Sequence, residues 1–452
     1  MNAAEHSSSL PPLGWLGIIR LGLVQTSLGA VVVLTTAALN RVMVVEHALP
    51  ATLPGLLVAL HYAVQIMRPR LGHGSDQGGR RTPWIIGGMA VLGLGGVLAA
   101  IATAWMGTAL VPGIALAVVA FLMVGLGVGA AGTSLLVLLA SRVTSARKPA
   151  AASLVWIMMI AGFVLTTAFA GQLLDPYSGE RLVAVAAGVS AIAFLLSVFA
   201  VAGIEGNSAR VGAGETKPST PFMVAMRQVW SEPQARHFTI FVFVSMLAYS
   251  AQDLILEPFA GTVFGMSLGE TTRLSSVQHG GVLAGMVLVA IVGSLAGGRI
   301  AVLRGWILGG CLGAAALLIA LAASGIAGAT FPLHESFFAL GVANGAFAAA
   351  AIASMMQLVN QGRDGREGVR MGMFGAAQAI AFGLGGLAGT VVLDLGRLAT
   401  GNAAGGYVTV FLADAALFLV AAWLATRIGR AAKDRVPSFG PMGPGASVSA
   451  SA

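Results

Sequence analysis

RPRLGHGSDQGGRRTPW, residues 68–84, sets four arginines and one aspartate among four glycines between two long apolar runs. Glycines allow a tight turn and close helix approach, because they lack the Cβ that restricts other residues. Asp76 can pair with an arginine, or with a helix N-terminus, in one conformation of whatever lies on either side. Gly72, Asp76, Gly79, Arg80 and Arg81 therefore form a candidate latch, although a short arginine-rich loop would also serve simply to anchor orientation. Which solvent surrounds the loop decides how it is understood.

Charged residues are 9% of the 452-residue chain and hydrophobic ones 57%, against about 25% charged in an ordinary soluble domain. Apolar stretches of about 20 residues recur throughout, each long enough to cross hydrocarbon as a helix. The expected fold is all-α: a polytopic membrane protein of 12 transmembrane helices. The spans fall near residues 15–39, 52–69, 83–103, 112–139, 151–172, 181–203, 237–257, 274–297, 305–326, 332–359, 371–393 and 406–427. No basic residue precedes the first apolar run, so a removable secretory peptide is not expected. Cys311 is the single cysteine, which excludes an intramolecular disulfide and a cysteine-rich metal site.

Alternating sides gives the orientation. Twenty of the 25 lysines and arginines fall on the side that carries Arg80, Arg147, Arg227, Arg304, Arg366 and the C-terminal tail. Only Arg41, Arg181, Arg273 and Arg397 fall opposite, with Arg20 inside the first span. The positive-inside rule then puts both termini in the cytoplasm. It also accounts for most of the net charge of +8, so nucleic acid is not an expected partner, whereas membrane lipid is.

The longest connection is rich in Gly, Ser, Pro and charge and divides the chain into two sets of six spans. The expected organisation is a cytoplasmic N-terminal segment (1–14), a six-helix bundle (15–203), a cytoplasmic linker (204–236), a second six-helix bundle (237–427) and a disordered cytoplasmic tail (428–452). Two parallel six-helix repeats related by an axis along the membrane normal are a known transporter frame. A faint internal repeat agrees: LNRVMVVE (39–46) closes span one, AQDLILEP (251–258) closes span seven, and His61 and His279 each fall in the following span.

The hairpin pattern G-x-x-x-D-x-x-G-R-R resembles the cytoplasmic signature of the major facilitator superfamily, implying a pseudo-twofold 6+6 bundle. It departs from that signature at Gln77, where a basic residue is usual, and the matching turn GSLAGGRIAVLRGW (293–306) lacks the aspartate. LNRVMVVEHALPATLPGLLVALHYAVQ (39–65), RPRLGHGSDQGGRRTPWIIGG (68–88) and AYSAQDLILEPFAGTVFGMS (248–267) resemble the PucC/LhaA family of phototrophic bacteria, near its branch known as a bacteriochlorophyll synthase subunit. The resemblance implies a non-enzymatic factor for assembling light-harvesting complexes, with bacteriochlorophyll as bound cargo. Its implied partners are light-harvesting antenna polypeptides and bacteriochlorophyll synthase. The implied location is the bacterial inner, intracytoplasmic photosynthetic membrane.

A bacteriochlorophyll leaves an axial position on its magnesium that a neutral imidazole can fill. No metal is expected to be bound directly by the chain. His61 and His279 lie mid-span, where an unpartnered imidazole is costly. They are candidate axial ligands, or else core histidines bonded to a neighbouring helix. Gly280, Gly281 and Gly285 beside His279 offer either a shallow face for a macrocycle or a seam for helix packing.

Intramembrane charges form a second constellation. Arg41 and Glu46 end span one, Asp253 and Glu257 end span seven, and Glu335 begins span ten. Across a two-repeat bundle Arg41 is placed to pair with Asp253 or Glu257, closing the outer side; interfacial solvation is the alternative. Asp414, midway in span twelve, is expected to be protonated, paired or wet, and is a candidate for proton coupling. These charges support a second class of function, a proton-coupled transporter of an organic or apolar solute. The spans carry few polar groups for a hydrophilic solute, which favours an apolar cargo or none. No Gly-rich nucleotide loop or paired-aspartate motif appears, so an enzyme is not expected.

Overall fold

The computed structural model describes residues 12–65, 80–144, 147–205, 222–295, 299–327, 331–360 and 367–427. All regular structure among these residues is helical. In chain order the spans are α1 (Trp15–Glu46), α2 (Thr52–Val64), α3 (Thr82–Met106), α4 (Leu110–Arg142), α5 (Lys148–Leu173) and α6 (Gly179–Val201). The second set is α7 (Pro233–Phe264), α8 (Leu268–Leu295), α9 (Ile300–Ala327), α10 (Leu333–Asn360), α11 (Glu367–Thr400) and α12 (Ala403–Ala425). Among the described residues eleven of these are long and apolar enough to cross a membrane, and α2 is shorter. A short helix, Phe222–Ser231, precedes α7.

Packing repeats with a step of six. In the first half α1 packs on α5 and α6, α3 on α4 and α6, and α2 on α4. In the second half α7 packs on α11 and α12, α9 on α10 and α12, and α8 on α10. The halves meet through α2 against α11 and α5 against α8, two contacts that exchange under the same step. This is the signature of a pseudo-twofold axis between equivalent six-helix units. Most of the core lies within one half or the other, but Val44 and Ala51 join the second-half cluster, Leu254 and Leu268 join a first-half one, and a small cluster of Ile160, Val282 and Met286 lies at the α5–α8 seam.

Helix α1 runs past the expected end near residue 39 to Glu46, through two π-helical stretches, Leu34–Ala38 and Val42–Glu46. It continues because its polar residues find partners inside the bundle. Asn40 Nδ2 donates to the Leu254 carbonyl at 2.6 Å, and Arg41 Nη2 to the Met266 carbonyl at 2.7 Å. Leu254 needs such a partner. Pro258 lacks an N–H, and its ring excludes the carbonyl four residues back, which is that of Leu254. Helix α7 accordingly breaks into Pro233–Asp253 and Leu256–Phe264, and a neighbouring helix satisfies the freed group, as the absence of water in hydrocarbon requires.

Glycines set the closest approaches. In α3–α4 a Cβ on Gly95 would lie 2.9 Å from the Val124 nitrogen. In α8–α10 a Cβ on Gly281 would lie 3.0 Å from the Val342 nitrogen, one on Gly285 2.8 Å from the Ala346 nitrogen, and one on Gly341 2.9 Å from the Val282 nitrogen. Without side chains at these points the backbones pack almost in contact.

Candidate functional site

On the face of the bundle opposite the start of α1, two carboxylates tie the halves together. Asp394 near the end of α11 accepts from the Ala51 amide (3.1 Å), the Thr52 amide (2.8 Å) and the Thr52 hydroxyl (2.7 Å) at the beginning of α2. Asp175, just past α5, accepts from the Gly269 amide (2.8 Å) and the Ser267 hydroxyl (2.6 Å) at the beginning of α8. A basic residue attends each: Arg397 lies 3.6 Å from Asp394, and Arg273 lies 3.9 Å from Asp175. A carboxylate at a helix N-terminus satisfies orphan amides and meets the positive end of the helix dipole. Because α5 corresponds to α11 and α8 to α2, the two clamps are pseudo-symmetry mates.

Arg41 completes the closure between them. It is 2% exposed, pairs with Glu46, and donates to Met266 in the connection after α7. The Gly261 Cα lies so close that a Cβ there would sit 3.1 Å from the Arg41 Nε. The expected partnership with Asp253 or Glu257 is therefore replaced by one with Glu46, five residues along the same helix and within reach through the π-helical turn. Glu257 is buried beside Ser275 and in the field of Arg41, with neither oxygen in a well-formed hydrogen bond. Asp253 is partly exposed near Tyr249, and Glu335 is exposed at the start of α10.

The two histidines occupy equivalent spans at the junction between halves. His61 on α2 has its Nε2 2.9 Å from Gln65 Nε2 and its ring edge-on to Tyr62, which stacks on Phe382 of α11. His279 on α8 is 7% exposed. Its Nδ1 lies 2.8 Å from the Ser275 carbonyl, and its ring meets Phe163 of α5 edge-on at 5.1 Å. A carbonyl can only accept, so Nδ1 carries the proton and Nε2 presents a lone pair. Of the neighbouring glycines, Gly281 and Gly285 are consumed in the α8–α10 seam, whereas nothing lies within 4 Å of a Cβ placed on Gly280. Only Gly280 leaves open surface beside the imidazole. Asp414 is buried in the middle of α12.

Gly72, Asp76 and Gly79 lie outside the described residues. Arg80 is exposed, and Arg81 forms the N-cap position of α3. Glu205, just beyond α6, accepts from the amides of Arg81 (2.8 Å) and Thr82 (2.7 Å). Burial opposes ionisation of Glu205, but hydrogen bonds from the Thr82 side chain and the Arg81 and Thr82 amides, with the Arg81 charge, hold its carboxyl below the usual range. The hairpin thus ends on a carboxylate supplied by the start of the central connection. Glu232, at the N-terminus of α7, is engaged at both oxygens by buried Arg370 in the first turn of α11, at 3.0 and 2.9 Å.

Glu205, Asp175 and Asp394 were not singled out from sequence, since each looks like an ordinary polar residue near a span end. The one available signal is in the repeat: Leu174–Asp175 and Leu393–Asp394 close equivalent spans, each aspartate behind a buried leucine. Among the described residues no group of three or more His, Cys, Asp or Glu side chains could hold a metal ion.

The fold is similar to solved membrane transporters. The nucleoside transporter NupG superposes with a TM-score of 0.66 at 13% identity, over 92% of this chain and 99% of that one. The peptide transporter POT in complex with sulfate gives 0.67 at 15% identity, over 93% and 97%. At such identities the likeness concerns the fold, which is an all-α, pseudo-symmetric bundle of the major-facilitator type. In sequence, the chain is 51% identical over 417 residues to the bacteriochlorophyll synthase 44.5 kDa chain of Rhodobacter capsulatus, covering 92% of this chain and 96% of that one. Protein PucC of Cereibacter sphaeroides is 30% identical over 428 residues, covering 86% and 85%. The family model described as PUCC protein matches residues 38–433. A multi-pass membrane bundle matched by that model over nearly its whole length, the chain belongs to the PUCC family.

Proposed function

We propose that this protein is a non-enzymatic assembly factor that holds bacteriochlorophyll and passes it to light-harvesting antenna polypeptides, working beside the enzymes that make the pigment. The family and the printed name of the 51%-identical relative support the pigment connection. The observation that supports a role for His279 is its geometry: its Nδ1 is committed to the Ser275 carbonyl, which leaves the lone pair on Nε2, and Gly280 beside it is open. Imidazoles that ligate metals characteristically donate their second nitrogen to a carbonyl or carboxylate, which fixes the tautomer. Bacteriochlorophyll supplies the magnesium. His279 would fill its axial position at the α5–α8 seam, and His61, whose Nε2 already faces Gln65, is the weaker ligand.

In this reading the protein resides in the photosynthetic inner membrane, with both termini and the 204–236 linker cytoplasmic. The basic residues support that orientation. In the alternative, a proton-coupled carrier of an organic solute, the clamps would act as a gate, since Asp175 and Asp394 join halves that would have to separate for alternating access.

Gentle purification from a pigmented host, with an absorption spectrum and identification of co-purifying proteins, tests the proposal. Bound pigment is expected, with loss or a shifted band in His279→Ala and a smaller effect in His61→Ala. A colourless preparation without antenna or synthase partners, together with proton-driven uptake in vesicles, would reverse the order of the two readings.

A further inference from the structure

Among the described residues, the core of the second half encloses several buried polar side chains without full hydrogen bonding, and three of them belong together. Gln252 on α7 and Asn344 on α10 are both 0% exposed, and neither atom of either amide has a hydrogen-bond partner among the described residues. Asp414 on α12 is 2% exposed, and its Oδ2 is likewise unpartnered. Such groups are costly in an apolar interior unless something meets them.

Ring contacts fix their relative depth. Phe347 of α10 lies 6.3 Å from Tyr249 of α7 and 5.6 Å from Phe418 of α12, ring centre to ring centre. From that contact Asn344 is three residues back along α10, Gln252 three forward along the oppositely directed α7, and Asp414 four back along α12, which runs parallel to α10. Each step is about one helical turn, and all three lead the same way along the membrane normal. The three residues therefore share one level. Phe259 against Phe411 at 4.9 Å lies beyond them on the far side.

Direction agrees with depth. Asp414 shares the buried stripe of α12 with Tyr407, Phe411 and Phe418, opposite exposed Leu412, Leu419 and Trp423. Gln252 continues the buried stripe of Ser245 and Ala248 on α7. Asn344 lies between Gly341 and Gly345, which face α8, and Phe347, against which α9 packs at Gly310. Helices α7, α12, α9 and α10 contact one another in a ring. On α9 the buried residues nearest this level are small, Cys311 and Ala314.

We propose that Asp414, Asn344 and Gln252 form a binding site for a hard monovalent cation inside the second six-helix unit. Hard cations take oxygen ligands, and the three residues offer one carboxylate and two amide carbonyls. One carboxylate selects single charge: a monovalent ion leaves the site neutral, whereas a divalent ion would leave a net positive charge in hydrocarbon. The site is separate from His279 and from both clamps, and does not depend on pigment binding.

Sodium is the probe. Thermal unfolding of the full-length protein in detergent is compared in sodium chloride and in N-methylglucamine chloride at equal ionic strength and fixed alkaline pH, alongside retention of radioactive sodium. A saturable rise in melting temperature of at least about 2 °C is expected, with about one ion retained per chain. Asp414→Asn and Asn344→Leu should lose both responses while Glu335→Gln, at an exposed position, keeps them. Equal melting temperatures of the unaltered protein in the two salts, with no sodium retained, would overturn the site whether or not the variants fold. A melting temperature that follows pH and ignores sodium would also overturn it, in favour of simple protonation. Undiminished sodium retention in Asp414→Asn would do the same.

Discussion

Asp394 accepts hydrogen bonds from both the main-chain amide and the hydroxyl of Thr52, at 2.8 and 2.7 Å, across the boundary between the two six-helix units. Asp175 does the equivalent work for α8. Asp394→Ala and Asp175→Ala should each lower stability by about 1 kcal/mol, the usual worth of an N-cap. Amide exchange should rise at residues 50–55 for the first and 267–271 for the second. Since separating the halves breaks both clamps, the double variant should expose both segments together. Unchanged exchange at both ends in the double variant would show that the clamps do not hold the closure.

The Asn40–Leu254 contact predicts a rescue. Asn40→Leu should cost about 1–3 kcal/mol, because a buried carbonyl loses its donor. Pro258→Ala supplies an N–H that can bond to Leu254 within α7, so the double variant should recover much of the loss in thermal unfolding. If Pro258→Ala makes Asn40→Leu no better, the orphaned carbonyl is not what Asn40 is there to satisfy.

Neighbouring glycines on α8 should behave oppositely. Gly280→Ala meets open space and should unfold within about 0.5 kcal/mol of the unaltered protein. Gly285→Ala places a methyl group 2.8 Å from the Ala346 nitrogen of α10 and should cost about 1–3 kcal/mol through overpacking. Equal melting temperatures for the two variants would contradict the α8–α10 seam.

Glu205 gives a pH dependence with a definite sign. Its carboxyl titrates below the ordinary value of 4.5 in the folded protein, so the unfolded chain binds the proton more readily. The resulting stability is fully present above the unfolded value and is lost as pH falls through the folded one. The stability difference between the unaltered protein and Glu205→Gln should therefore be widest above about pH 5 and shrink on acidification. A difference that is flat, or grows toward acid, would remove Glu205 as the ionised cap of α3.

Several of these residues illustrate where a linear reading stops. His61 and His279 are visible as equivalent positions because the spans before them carry a faint repeat. That His279 keeps a lone pair on Nε2 while His61 faces Gln65 is a matter of rotamer and neighbour. Spacing alone suggests a partner for Arg41 across the cavity, whereas the structure pairs it with Glu46 on its own helix. The π-helical end of α1, which brings the two together on one helix, leaves no mark in hydropathy. Asp175 and Asp394 read as ordinary span-end residues until α5 and α8, α11 and α2, are seen side by side.

The amino-acid order by itself determined the solvent, the all-helical character, the recurrence of apolar spans in a repeated bundle and the family, because each follows from runs of residues along one chain: apolar length matches hydrocarbon thickness. Tertiary structure alone decided which polar groups meet. In a medium without water an amide, carboxylate or carbonyl must find its partner on another helix. Asn40 with Leu254, Asp394 with Thr52, and the shared level of Gln252, Asn344 and Asp414 come from chain segments up to some 340 residues apart, brought together only when the helices pack.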